Sequence, residues 1–183
     1  MSLGCSLKTP ASWNIEAMLA PRIRFLSAFG AGVAGAALMS VLAAAGRAFH
    51  FTSLEPELVL GSRMTGVADL SSGLLGLALH LLIGGLLAQV YAFFFELAGE
   101  ADPVMGAGYG FVHGVIAGLF MELVPLIHPL VPARFAYFGV FSVYYGTATA
   151  IGFVVLHILY GGTIGALYRT RGAARERSTR AAA

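Results

Sequence analysis

Residues 70–97 read LSSGLLGLALHLLIGGLLAQVYAFFFEL, an apolar run in which Glu96 is the one Asp, Glu, Lys or Arg. At 1.5 Å per residue a helix of this length crosses a hydrocarbon core of about 30 Å. The stretch therefore predicts a transmembrane helix. Working outward, comparable runs cover residues 25–46, 104–124 and 145–168. Four spans leave an N-terminal arm at 1–24, a membrane domain at 25–168 and a basic tail at 169–183.

Composition agrees with this division. The 183 residues are 58% hydrophobic and 11% charged, with a mean hydropathy of +0.82. Soluble domains carry roughly 25% charged residues, so this chain has too little polar surface for a soluble globule. The expected fold is all-α, a polytopic membrane protein of four transmembrane helices in a tightly packed bundle. Glycine accounts for 24 residues, most of them inside the apolar runs. Glycine there serves helix packing rather than linkers.

The arm, with Pro10, Trp13, Pro21, Arg22 and Arg24, reads as a cytoplasmic or interfacial segment. The first apolar run exceeds the roughly 7 to 15 residues of a signal-peptide core, so a retained helix is the better reading. Cys5 is the single cysteine and forms no intramolecular disulfide. Although Met1 to Cys5 superficially suggests a lipoprotein cleavage box, no apolar region precedes it. Residues 47–69 form the longest connection, with a short surface helix expected near Ser53. Glu100, Asp102 and Pro103 make a tight acidic turn. Pro125, Pro129 and Pro132 interrupt the chain after the third span, leaving 126–137 as a loop or re-entrant piece. Tyr137, Tyr144 and Tyr145 suit an interfacial aromatic belt.

Basic residues set the expected orientation, because their translocation is disfavoured. Lys8, Arg22 and Arg24 flank one terminus, and Arg169, Arg171, Arg175, Arg177 and Arg180 flank the other. The first and third loops carry only Arg47, Arg63 and Arg134. The expectation is a bacterial inner-membrane protein with both termini cytoplasmic, its tail serving as a topology signal or a contact for anionic headgroups.

Steps of four residues along each span expose a common face: Ala28, Gly32, Ala36 and Ser40 in the first; Gly76, His80, Gly84 and Ala88 in the second; Gly106, Gly110, Gly114 and Gly118 in the third; His157, Gly161 and Gly165 in the fourth. Small residues at this spacing let helix backbones approach where lipid supplies no hydrophobic drive. Such faces serve packing within the chain, self-association or contact with other membrane subunits.

Two of these faces carry a histidine. Counted from the expected span ends, His80, His113 and His157 each lie roughly 15 to 18 Å deep, at one level near the midplane. Ionisable groups at that depth are costly and are candidates for function. Imidazoles there could ligate a transition metal, hold b-type haem axially or relay protons. Gly35, Gly84 and Gly114 at the same level could admit a flat cofactor. The alternative is that each neutral histidine makes one interhelical hydrogen bond, worth on the order of 1 kcal/mol. Metal-type spacing such as His-Xaa-Xaa-Xaa-His is absent. A weaker candidate site combines Glu122 and His128 with His50, as an outer-face metal or proton-uptake site. Glu96 lies about 24 Å along its helix from His80 and belongs to the cytoplasmic end.

There is no phosphate-binding glycine loop, nucleophile elbow, cysteine pair or basic-aromatic nucleic-acid surface. Soluble-type enzymology and nucleic-acid binding are not indicated. Three readings remain: a histidine-held metal or haem, a structural or assembly subunit of a larger complex, and a small transporter or channel.

Overall fold

A computed structural model describes residues 23–170. The arm and tail expected at 1–24 and 169–183 fall largely outside them. All regular structure among the described residues is helical. The four long helices are α1 (Phe25–Ala48), α3 (Leu70–Ala98), α4 (Pro103–Phe120) and α6 (Thr147–Leu167). Two short ones, α2 (Pro56–Thr65) and α5 (Val124–Ile127), lie in the connections on one side of the bundle. Each long helix, with α4 extended through a 3₁₀ turn at Met121–Leu123 into α5, is long and apolar enough to cross a membrane.

Local chemistry fixes the helix ends. Asp69 caps α3 by accepting a hydrogen bond from the Ser72 amide at 2.9 Å. Asp102 caps α4, accepting from the amides of Val104 at 2.7 Å and Met105 at 3.0 Å, and Pro103 follows where its missing N–H costs nothing. Gly66 and Gly99 end α2 and α3 in the left-handed conformation, with φ of 76° and 81°. The third span runs past the expected boundary at 124 to Ile127, because Pro125 falls in the first turn of α5, where proline is tolerated. The last span starts at Thr147 rather than 145. Before it, Val140–Tyr145 coils as a 3₁₀ segment, interrupted by Phe141 and Ser142 at φ 55° and 58°.

The helices order themselves by their small faces. α1 packs on α3 and α6, α4 packs on α6, and α2 folds back onto α3. A Cβ at Gly106 would strike the Gly161 carbonyl, and one at Gly110 the His157 carbonyl. Gly32 meets Gly84 and Ala88 in the same way, and Gly61 of α2 meets the backbone of Ser72. Side chains cannot be accommodated at these crossings, so the backbones themselves make the contact.

The interior is built from Ala28, Gly32, Ala36, Ala88 and Ala92 with Tyr91, Phe95, Tyr160 and Ile164. Large aliphatic side chains, such as Leu82, Ile83, Leu86, Val112, Ile116 and Ile151, point outward. That inversion of the soluble pattern fits a lipid surround. The described chain ends come together with the 99–102 turn: the Arg24 amide donates to the Tyr168 hydroxyl at 3.2 Å, and the Thr170 hydroxyl to the Gly99 carbonyl at 3.2 Å. The connections 49–69 and 128–146 gather at the opposite end, joined by Thr149 donating to Thr52 at 2.7 Å.

Candidate functional site

The α4–α6 seam seats the central histidines. Gly114 leaves room for the His157 side chain, which lies directly over it. The His157 Nδ1–H donates to the Phe153 carbonyl at 2.7 Å, and its ring stacks on Phe153 with centroids 4.6 Å apart. A carbonyl only accepts, so Nδ1 carries the hydrogen and Nε2 is left as an acceptor. One helix away, the His113 ring meets that of His157 edge to face at 4.9 Å.

His113 is held by Tyr91 of α3, whose hydroxyl lies 2.9 Å from Nδ1. The phenol is the stronger acid and is assigned as the donor, which places the His113 hydrogen on Nε2. The two histidines then carry opposite tautomers, a donor Nε2 on His113 and an acceptor Nε2 on His157. Tyr160 closes the group from α6: its ring lies 5.5 Å from that of Tyr91 and 5.9 Å from that of His113. Its hydroxyl donates to the Gly84 carbonyl at 2.5 Å.

His80 stands one turn from Gly84 on α3, on the side toward the loops. It makes no hydrogen bond among the described residues. α2 brings Glu57 against α3 by folding back so closely that the Glu57 carbonyl fills the space a Cβ on Gly76 would need. Glu57 Oε2 lies 3.8 Å from Arg47. Its other oxygen, Oε1, is buried without a hydrogen-bond partner among the described residues, as is the hydroxyl of Ser40. Both side chains border a hollow of about 510 Å³ at the loop end, with Arg47, Asp69 and Arg134 on its rim.

Toward the terminal end the polar group is capped by aromatic rings. Phe95 lies 5.4 Å from Tyr109 and 6.1 Å from Tyr168. Beyond this layer the Tyr168 hydroxyl donates to Glu96 at 2.6 Å. Glu96 thus belongs to the end of the bundle, as its position along α3 predicts.

The weaker candidate site does not assemble. His128 is buried by contacts of its own: Nδ1 accepts from the Leu130 amide at 3.2 Å, Nε2 donates to the Val59 carbonyl at 2.9 Å, and Ser62 lies 3.4 Å away. Those bonds pin α2 to the 128–138 loop. Glu122 borders a separate hollow with Tyr137 and Tyr144, while His50 is exposed beyond α1. Among the described residues no three His, Cys, Asp or Glu side chains gather as a ligand set for a metal ion. That holds for the midplane histidines as well. Their neighbouring glycines, Gly84 and Gly114, are closed by Ala36 and His157, and Gly35 by Tyr160, rather than open for a flat cofactor.

Tyr91, Tyr160 and Glu57 are the members that sequence reasoning missed. Tyr160 follows His157 by three residues and so shares its helix face, a signal present in the sequence. Glu57 had none, since only the fold-back of α2 brings it inward. Fold and site together define a small four-span membrane bundle with an ionisable interior. Comparison with protein families, curated proteins and solved structures found no match.

Proposed function

We propose that this chain moves protons within the membrane as a small transporter-type protein, with His80, His157 and His113 as relay groups and Glu57 as the group that receives protons from the loop end. The observations that carry the reading are Glu57 Oε1, buried without a hydrogen-bond partner among the described residues at the loop end, and the His157–His113 ring contact with its opposite tautomers. Buried polar groups are expected to be hydrogen-bonded; among the described residues Glu57 Oε1 is not and His80 makes no hydrogen bond, whereas His113 and His157 are held by Tyr91 and Phe153. Passage to the other end would require Phe95, Tyr109 and Tyr168 to part, which makes that aromatic layer the gate. With basic termini retained in the cytoplasm of a bacterial inner membrane, protons would arrive from the outer face.

The test is proteoliposomes loaded with a pH-sensitive dye under a potassium-diffusion potential. Proton flux above that of empty vesicles is expected, falling at least about tenfold, or about 1.4 kcal/mol in barrier, in His157→Gln and His113→Gln. Wild-type flux equal to that of empty vesicles, or a triple His80→Gln, His113→Gln, His157→Gln protein as fast as wild type, sinks the reading. A stoichiometric transition metal or a haem absorption band in the purified protein would instead assign the histidines to a cofactor. Against haem between His113 and His157 stands their direct edge-to-face contact, which leaves no gap for a porphyrin plane.

A further inference from the structure

His128 is 4% exposed where the 128–138 segment packs on α2, and the proton relay does not use it. Its two ring nitrogens meet opposite demands. The Val59 carbonyl, 2.9 Å from Nε2, can only accept, so Nε2 carries the hydrogen. The Leu130 amide, 3.2 Å from Nδ1, can only donate, so Nδ1 keeps its lone pair. Only the neutral imidazole satisfies both. The Phe135 ring stands perpendicular to it at 5.3 Å, and Ser62, itself fully buried, lies against it from α2. The charged groups on the elements around it are Glu57 and Arg63 of α2, Glu122 of the preceding turn and Arg134 of its own segment. None pairs with it, since the one ion pair among the described residues is Arg47–Glu57. Tyr145, the other titratable side chain at this joint, gives its hydroxyl hydrogen to the Ala136 carbonyl at 3.2 Å.

We infer that His128 is a pH-sensitive clasp between the 128–138 segment and α2, closed while its imidazole is neutral and released when the ring is protonated. Protonation places a second N–H at Nδ1, facing the Leu130 N–H, so an attraction becomes a repulsion. It also leaves a cation buried beside Phe135 with no counter-charge, which is costly. Both effects favour the ring in water. Histidine is the side chain that ordinarily changes charge between about pH 5 and 8. The remaining tie across this joint is the apolar cluster of Leu54, Val59, Phe135 and Phe138, which does not titrate. Release therefore loosens the joint without dissolving the bundle. Arg134 moves with the segment, because its amide donates to the Leu130 carbonyl at 2.8 Å. Since Arg134 also stands on the rim of the hollow that Glu57 borders, the clasp governs how open that hollow is.

The clasp is read without proton flux, so it stands or falls apart from the relay. Amide hydrogen exchange of the full-length protein in nanodiscs is followed by mass spectrometry at about pH 8 and about pH 5.5, each rate being divided by the intrinsic rate at its pH. Peptides covering 128–138 and α2 are expected to exchange about tenfold faster at the lower pH, the scale of one buried hydrogen bond. Peptides of the α4–α6 seam should not change. His128→Gln retains a donor for the Val59 carbonyl but cannot gain a charge, so its exchange should be the same at both pH values, whether its joint is closed or open. His50→Gln, which removes the exposed histidine at the same end, should respond as wild type does. Exchange in wild type that is independent of pH overturns the inference. So does a pH response that survives in His128→Gln or disappears in His50→Gln, since either assigns it to another group. Should His128→Gln fail to fold, wild type and His50→Gln decide.

Discussion

The Tyr160 hydroxyl donates to the carbonyl of Gly84, 2.5 Å away, linking two long helices that otherwise scarcely touch. Tyr160 crosses over Gly35 of α1 to do so, and a Cβ at Gly35 would press into its ring. The three helices therefore share one buried contact. Tyr160→Phe keeps the ring but removes the donor, and is expected to lower stability by about 1 kcal/mol. Gly35→Leu should cost more, since it displaces the ring itself. Thermal unfolding in one detergent, followed by circular dichroism, ranks the two. A Gly35→Leu protein as stable as wild type would contradict the packing.

The α4–α6 seam makes a sharper prediction because the same helix carries its own control. Gly106 abuts the backbone of Gly161, whereas Gly108, two residues on, has open space where a Cβ would go. Gly106→Val is expected to destabilise by about 3 kcal/mol or more through backbone displacement. Gly108→Ala should leave stability unchanged or raise it by less than about 1 kcal/mol, through helix propensity. Equal effects at the two positions would mean the seam is misplaced.

Much of this arrangement is written in the sequence, and the part that is not has a physical reason. The four runs of apolar residues mark the spans, because a bilayer demands length and apolarity from consecutive residues. Gly106, Gly110, Gly161 and Gly165 mark a packing face by their spacing alone. Counting from span ends puts His113 and His157 at similar depth, and their rings are in contact. Depth says nothing about azimuth, however, so Tyr91 as partner of His113 was not readable. Nor was the inward turn of Glu57, which depends on Gly61 and Gly76 bringing α2 against α3. His128 misled for the same reason: its neighbours in sequence include Glu122, but its partners in space are Val59 and Ser62.

Asp69 gives the loop end a dependence on pH. The Ser72 amide first, and then the Ser71 hydroxyl, hold its carboxyl below the usual carboxylate range. A depressed folded value means the cap contributes fully above the unfolded value and is lost as pH falls through the folded one. The sign is therefore destabilisation on acidification. Wild type should lose stability relative to Asp69→Asn as pH is lowered into and below the carboxylate range, while Asn keeps an acceptor for the cap without titrating. Melting temperatures of the two proteins across that range test this. Parallel curves would remove Asp69 as the source.

Glu57 separates stability from function. Its Oε1 is buried without a hydrogen-bond partner among the described residues, and Arg47 lies 3.8 Å from the other oxygen, half-exposed at the edge of the loop-end hollow. A buried charge so incompletely satisfied costs desolvation that a long ion pair at a partly solvated site recovers only in part. Glu57→Gln removes the charge at nearly constant shape and leaves Arg47 free to turn toward solvent. Stability should thus change by no more than about 1 kcal/mol, with either sign, and a small gain is the expected direction. If Glu57 delivers protons to His80, flux in proteoliposomes falls at least tenfold all the same, because an amide cannot take up and release a proton at neutral pH. A Glu57→Gln protein that unfolds readily would identify the carboxylate as structural, and one that conducts like wild type would place the proton route elsewhere.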